Sequence, residues 1–242
     1  MYAVFKRELF SFLNSMVAYV TIGVFLAVSG LLLWFFPDTS LLDYGYAELN
    51  GFFSLVPYLF MFLIPAITMR SFAEERREGT YELLITKPIT LWQIVIAKYL
   101  ACLVLVLLAL IPTLVYYYSI SKLGLPEGNI DSGAVIGSYI GLFLLGSAFT
   151  SIGVFASALT KNQIIAFAIS AALCAFAFLG FDYSSQLLSM QSFETTIASF
   201  GINQHYQSIS RGVLDTRDLV YFISFSTVFL LFTKLAAGGK RK

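Results

Sequence analysis

Residues 94–120 read IVIAKYLACLVLVLLALIPTLVYYYSI, and a single charge, Lys98, interrupts them. A helix rises about 1.5 Å per residue, so roughly 20 such residues cross a hydrocarbon core about 30 Å thick. Five further stretches have the same character: residues 15–36, 52–69, 135–159, 164–181 and 219–235. The composition agrees, with 58% hydrophobic and 12% charged residues among 242 and a mean hydropathy of +0.81. A soluble domain carries about 25% charged residues, so there is too little polar surface here to cover a globule in water. A net charge of +1 and 17% aromatic residues also exclude a disordered chain and a basic nucleic-acid binder. The expected fold is an all-α polytopic membrane protein with six transmembrane helices, and the lipid bilayer is its first partner.

Lys and Arg collect in cytoplasmic loops, which fixes the expected orientation. With the N-terminus inside, 12 of the 15 basic residues and five of the 14 carboxylates fall on the inner side, leaving it +7 and the outer side −6. Both termini are therefore expected in the cytoplasm. Aromatic clusters suit the interfaces: Trp34-Phe35-Phe36 and Tyr116-Tyr117-Tyr118 on the outside, Trp92 on the inside. Pro37 stops the first span, and the run before it is too long, and lacks the small residues, for a cleaved signal peptide. Pro57, Pro65 and Pro112 predict kinks. Cys102 and Cys174 lie inside apolar runs, so neither a disulfide framework nor a metal site is expected.

Residues 1–14 place Tyr2, Phe5, Leu9, Phe12 and Leu13 on one helical face and Lys6, Arg7 and Glu8 on the other. This predicts an interfacial helix, separated from the first span by Asn14-Ser15. The inner segment 70–92 is denser in charge. Arg70, Glu74, Glu75, Arg76, Arg77 and Glu78 lead to Gly79, then Thr80, Glu82, Lys87 and Pro88. The pattern predicts a short helix, a break at Gly79 and a second short helix, with Thr90 and Gln93 as a capping box for the next span. Interleaved charges of both signs suit docking on a cytosolic protein; a plain solvated loop would read the same way by composition.

The block Glu74-Glu75-Arg76-Arg77-Glu78-Gly79-Thr80-Tyr81-Glu82-Leu83-Leu84, followed by Thr86-Lys87-Pro88, Gln93-Ile94-Val95 and Lys98, resembles the ABC-2 type transporter permeases. In these an E-x-x-x-G-T-x-E-x-L-L pattern follows the second span. The resemblance covers the chain and implies a single transmembrane domain over residues 1–242. It also implies that residues 70–92 form a coupling helix seated in a separate ABC ATPase subunit. Arg70, Glu74, Glu75, Arg76, Arg77, Glu78, Gly79, Thr80, Glu82, Lys87 and Pro88 are then the coupling residues. Six spans make half a translocator, so a second permease subunit is implied, identical or related. No G-x-x-x-x-G-K-[ST] loop occurs; Gly238-Gly239-Lys240 has no hydroxyl residue after its lysine. The chain is thus expected to be non-catalytic and to hold no cofactor, with ATP and Mg bound by the partner. More narrowly, Ser210-Arg211-Gly212-Val213-Leu214-Asp215 and Asp218-Leu219-Val220-Tyr221-Phe222 resemble the gliding-motility-associated permeases of Bacteroidota. That branch implies a bacterial inner membrane, a role in motility or export, and an auxiliary extracytoplasmic or membrane partner.

The outer segment 182–218 contains His205, Arg211, Gly212, Asp215 and Asp218. Leu187, Met190, Phe193, Ile197 and Phe200 recur at helical spacing and predict an amphipathic helix; the resemblance implies a cap that gates exit, and the alternative is a helix that simply packs on the span ends. His205 is expected to be structural. Gly137, Gly141 and Gly146 in span four let another helix approach closely, within the subunit or between two. For alanine-rich span five, the resemblance implies a dimer seam with span one. Lys98 is expected to snorkel at the inner edge, and no span carries a centrally buried ionisable residue, which argues against a proton-coupled antiporter or a charged-ring ion channel. Two other classes fit less well. One is a non-transporting scaffold of a motility or secretion machine. The other is an intramembrane protease using Glu74-Glu75, which lacks histidines inside its spans.

Overall fold

The computed structural model describes residues 1–36, 48–124, 126–183, 201–212 and 215–238, and these are helical with no strand among them. Among the described residues, six helical stretches are long and apolar enough to cross a membrane: Met16–Trp34, Asn50–Glu78, Leu91–Leu123, Ser132–Leu159, Gln163–Tyr183 and Thr216–Gly238. The protein is a multi-pass, all-α membrane protein. Pro37 and the helix expected from Leu187, Met190, Phe193, Ile197 and Phe200 lie outside the described residues.

Each boundary has a local cause. Helix α1 (Tyr2–Leu13) is separated from α2 (Met16–Trp34) by Asn14 and by Ser15, whose extended backbone and side chain cap α2 at Val17 N. Helix α3 (Asn50–Thr68) runs on past Pro57 and Pro65, then turns at Met69 into α4 (Arg70–Glu78). The cause of that turn is a side chain inserted into the backbone ladder. The Ser157 hydroxyl accepts from Phe72 N (2.9 Å) and Ala73 N (3.1 Å) and donates to Met69 O (3.0 Å). Gly79, at φ +73°, ends α4 and starts α5 (Thr80–Ile85). The Thr90–Gln93 capping box opens α6 (Leu91–Leu110) as expected. Pro112 sits in a 3₁₀ turn, Ile111–Thr113, that joins α6 to α7 (Leu114–Leu123). Asp131 and Asn162 cap α8 (Ser132–Leu159) and α9 (Gln163–Ala175); α9 continues into a π turn at Phe176–Gly180. Two further helices follow, α10 (Ile202–Ser210) and α11 (Thr216–Gly238).

Helix α8 is the axis, packed by α3, α4, α6, α9, α10 and α11. From Leu145 to Ala158 only Phe155 is not buried, because Gly, Ala and Ser dominate and let neighbouring backbones approach. Gly153 is the closest approach: a Cβ there would lie 2.1 Å from Thr68 Oγ1 of α3. The rim helices α2 and α9 instead expose Met16, Val20, Val24, Ile164 and Phe176, as surfaces facing lipid or another subunit do.

Helix α1 is rotated from its expected setting. Its buried face is Val4, Glu8 and Phe12, while Tyr2 is 75% exposed. Glu8, expected on the polar side, is turned inwards by an ionic partner described below. At Gly79 nothing lies within 4 Å of an added Cβ, so alanine there meets only backbone strain. Gly79→Ala is expected to cost about 1 kcal/mol and to speed amide exchange in α5, measurable by hydrogen–deuterium exchange.

Candidate functional site

The charged segment α4–α5 has an inward base and an outward tip. At the base, Lys98 sits two turns into α6 with no exposed surface. Its Nζ is 3.0 Å from Glu8 Oε2 and 3.0 Å from Glu75 Oε2 and donates to Ser71 O at 2.6 Å. Arg7 completes a ring, with Nη2 2.5 Å from both Glu8 Oε1 and Glu75 Oε1. Two cations and two carboxylates thus tie α1, α4 and α6 together. Partial burial opposes the Arg7 charge, but the two carboxylates outweigh it and raise its pKa. The expected snorkelling of Lys98 is therefore wrong. Burying an ammonium is tolerable only with paired charge, and Glu8 and Glu75 supply it.

Three more contacts fix the base. Arg70 reaches Glu74 through Nε (2.9 Å) and Nη2 (2.7 Å) and also donates to Ser15 Oγ at the α1–α2 junction. Arg76 is buried and donates to Ala158 O and, at 3.2 Å, to Ala236 O. The last-turn carbonyls of a helix have no partner of their own and favour a cation, so Arg76 locks α4 onto the ends of α8 and α11. Tyr81 lies under that guanidinium, 5.1 Å from ring centroid to Cζ, and its hydroxyl donates to Ala237 O at 3.0 Å. Burial raises the Tyr81 pKa, which keeps that proton in place.

The tip is different. Arg77, Glu78, Gly79, Thr80, Glu82, Lys87 and Pro88 are exposed, and Leu83 among them is 67% exposed. Of the expected coupling residues, Arg70, Glu74, Glu75 and Arg76 make intramolecular contacts and the other seven face outwards. Sequence reasoning placed Arg7 and Glu8 only on the polar face of the interfacial helix and singled out neither Leu83 nor Ser157.

At the far end of α8, the glycine face receives α10 rather than a second span. A Cβ on Gly137 would lie 2.9 Å from Gly212 Cα, and one on Gly141 would lie 2.9 Å from Ile209. Gly146, deeper, meets Val106 of α6. Ser138 Oγ donates to Ser210 O at 2.8 Å, and Tyr206 donates to Phe53 O. Ile202, Tyr206 and Ile209 form the buried stripe of α10, a spacing present in the sequence but passed over there. His205 Nδ1 pairs with Asp218 Oδ1 at 2.6 Å and stacks on Tyr221, joining α10 to α11. Arg211 and Asp215 are exposed. Ser157 and Gly137 are 20 residues apart on one helix, about 30 Å, so His205 is remote from Glu74 and Glu75. Those carboxylates are held in ion pairs and have no histidine beside them, which leaves the protease reading without support. Among the described residues no cluster of His, Cys, Asp or Glu could hold a metal ion.

A family model described as ABC-2 family transporter protein matches residues 35–239. The chain belongs to the ABC-2 transporter family. ABC-2 proteins are the membrane subunits of ATP-binding cassette transporters and normally work with an ATPase subunit. The matched residues include all of α4 and α5, whereas Arg7 and Glu8 lie before them. No curated protein matches the chain.

Proposed function

We propose that this chain is the permease subunit of an ABC transporter. In this reading it forms half of the translocation path, and the exposed tip of α4–α5 seats in a separate ATPase that binds ATP and Mg. The observation that carries the proposal is the division of that segment. Its tip offers mixed charge and Leu83 to a partner, while its base is bolted to α1, α6, α8 and α11. A displacement imposed at Arg77–Lys87 therefore has four rigid routes into the membrane. The path is completed by a second subunit, identical or related. The charge asymmetry of the loops favours cytoplasmic termini and, in a bacterium, the inner membrane. The Ser210–Asp215 and Asp218–Phe222 blocks favour gliding motility or export as the process, with an auxiliary outer or membrane protein as partner.

Co-purification with the ATPase tests this. Glu78→Arg, Glu82→Arg and Leu83→Arg change exposed side chains, so folding is expected to shift by less than about 0.5 kcal/mol. Each is expected to weaken ATPase binding about tenfold, the equivalent of ~1.4 kcal/mol. Undiminished binding in all three variants would exclude the tip as the docking surface.

A further inference from the structure

We propose that the cavity between α5, α6 and the end of α11 holds the headgroup of an anionic phospholipid. This pocket of about 550 Å³ is bounded by Arg76, Lys161, Lys234, Trp92, Ile85 and Ile89, with Glu82 as its one carboxylate. Lys161 belongs to the turn between α8 and α9 and Lys234 to the last turns of α11. Among the described residues neither forms an ion pair. Lys234 Nζ lies 4.9 Å over the Trp92 ring, which holds the ammonium at the wall. Arg76 is occupied by the helix-end carbonyls, so the two lysines are the groups free to meet a phosphate.

Position and shape distinguish a lipid from a soluble anion. The cavity lies where α6 and α11, both membrane-crossing helices, reach the polar boundary. That is the depth of a headgroup, marked by Trp92 as an interfacial side chain. Leu231 and Leu235, on either side of Lys234, are exposed along α11 and provide an apolar track for an acyl chain. Basic pockets between membrane helices on the cytoplasmic side recognise anionic headgroups in this way. Gly79, Tyr81 and Glu82 also line the cavity, so a bound lipid would bridge the coupling segment to α11. The choice of leaflet rests on the orientation proposed above; the site itself does not.

Native mass spectrometry of the detergent-purified chain tests the site without any ATPase, so failure of the coupling proposal cannot mimic failure here. Wild type is expected to retain phosphatidylglycerol in preference to phosphatidylcholine. The Lys161→Gln/Lys234→Gln variant, which removes both charges and keeps a polar side chain one atom shorter, is expected to lose that retention about tenfold. Lys122→Gln, at the other end of the span, is expected to keep it. Equal retention of the two lipids, equal retention in the double variant, or displacement of the lipid by millimolar inorganic phosphate would each overturn the proposal. So would a double variant that keeps its lipid but no longer co-purifies with the ATPase, which would assign the cavity to the protein partner.

Discussion

Lys98→Ala is expected to remove about 3–5 kcal/mol of stability, because truncating one member of a buried ion cluster leaves the others uncompensated. Two carboxylates now sit 3.0 Å from the same ammonium, and after truncation only the half-exposed Arg7 would face them. Loss of the buried stem would by itself cost about 2–5 kcal/mol, so a second variant is needed to separate the two causes. Lys98→Met combined with Glu8→Gln and Glu75→Gln removes all three of these charges and keeps most of the volume. Removing the buried charges together leaves none of them uncompensated, and Arg7, whose side chain is 48% exposed, can be solvated, so the triple variant is expected to recover most of the loss. Denaturant unfolding in detergent reads both. A Lys98→Ala variant within about 0.5 kcal/mol of wild type would mean that the cluster contributes nothing to the fold.

The second large effect is expected at Gly153. A methyl group there would lie 2.1 Å from Thr68 Oγ1 and 2.8 Å from its Cβ, and Thr68 is fully buried with Oγ1 donating to Ile64 O at 2.8 Å. Gly153→Ala must therefore push the two helices apart just before Met69, where α3 turns into α4. Overpacking of this kind costs about 1–3 kcal/mol. Because the turn is held by Ser157, one helical turn along α8, a shift of α3 also strains the bonds to Phe72 and Ala73. Adding Thr68→Gly removes both clashing atoms and is expected to restore stability in the double variant. If Gly153→Ala alone unfolds at the wild-type denaturant concentration, the close approach of α3 and α8 is wrong.

What could be read from the sequence depended on how far each signal reached along the chain. The six spans were legible because each is a continuous apolar run. The Thr90–Gln93 cap and the break at Gly79 were legible because each depends on residues within one turn. Lys98 was misread because its partners, Glu8 and Glu75, come from other helices and only the fold brings them together. A trace of its burial was present: Lys98 lies on one helical face with Ile94, Ala101, Cys102 and Leu105, all buried. Arg76 looked like its neighbour Arg77 for the same reason, since the carbonyls it serves belong to Ala158 and Ala236. Gly153 gave no sign at all, as its importance is set by Thr68 across the helix interface. For Gly137 and Gly141 the sequence announced a close contact without naming its partner, which is α10.

Photo-cross-linking from position 83 tests the coupling role most directly. A benzoylphenylalanine in place of Leu83 is predicted to capture the ATPase subunit in intact membranes, whereas the same group at Tyr118, exposed at the other end of the span, is not. Capture from Tyr118, or from neither position in a complex that still hydrolyses ATP, would contradict the assignment of α4–α5 as the seat of the ATPase.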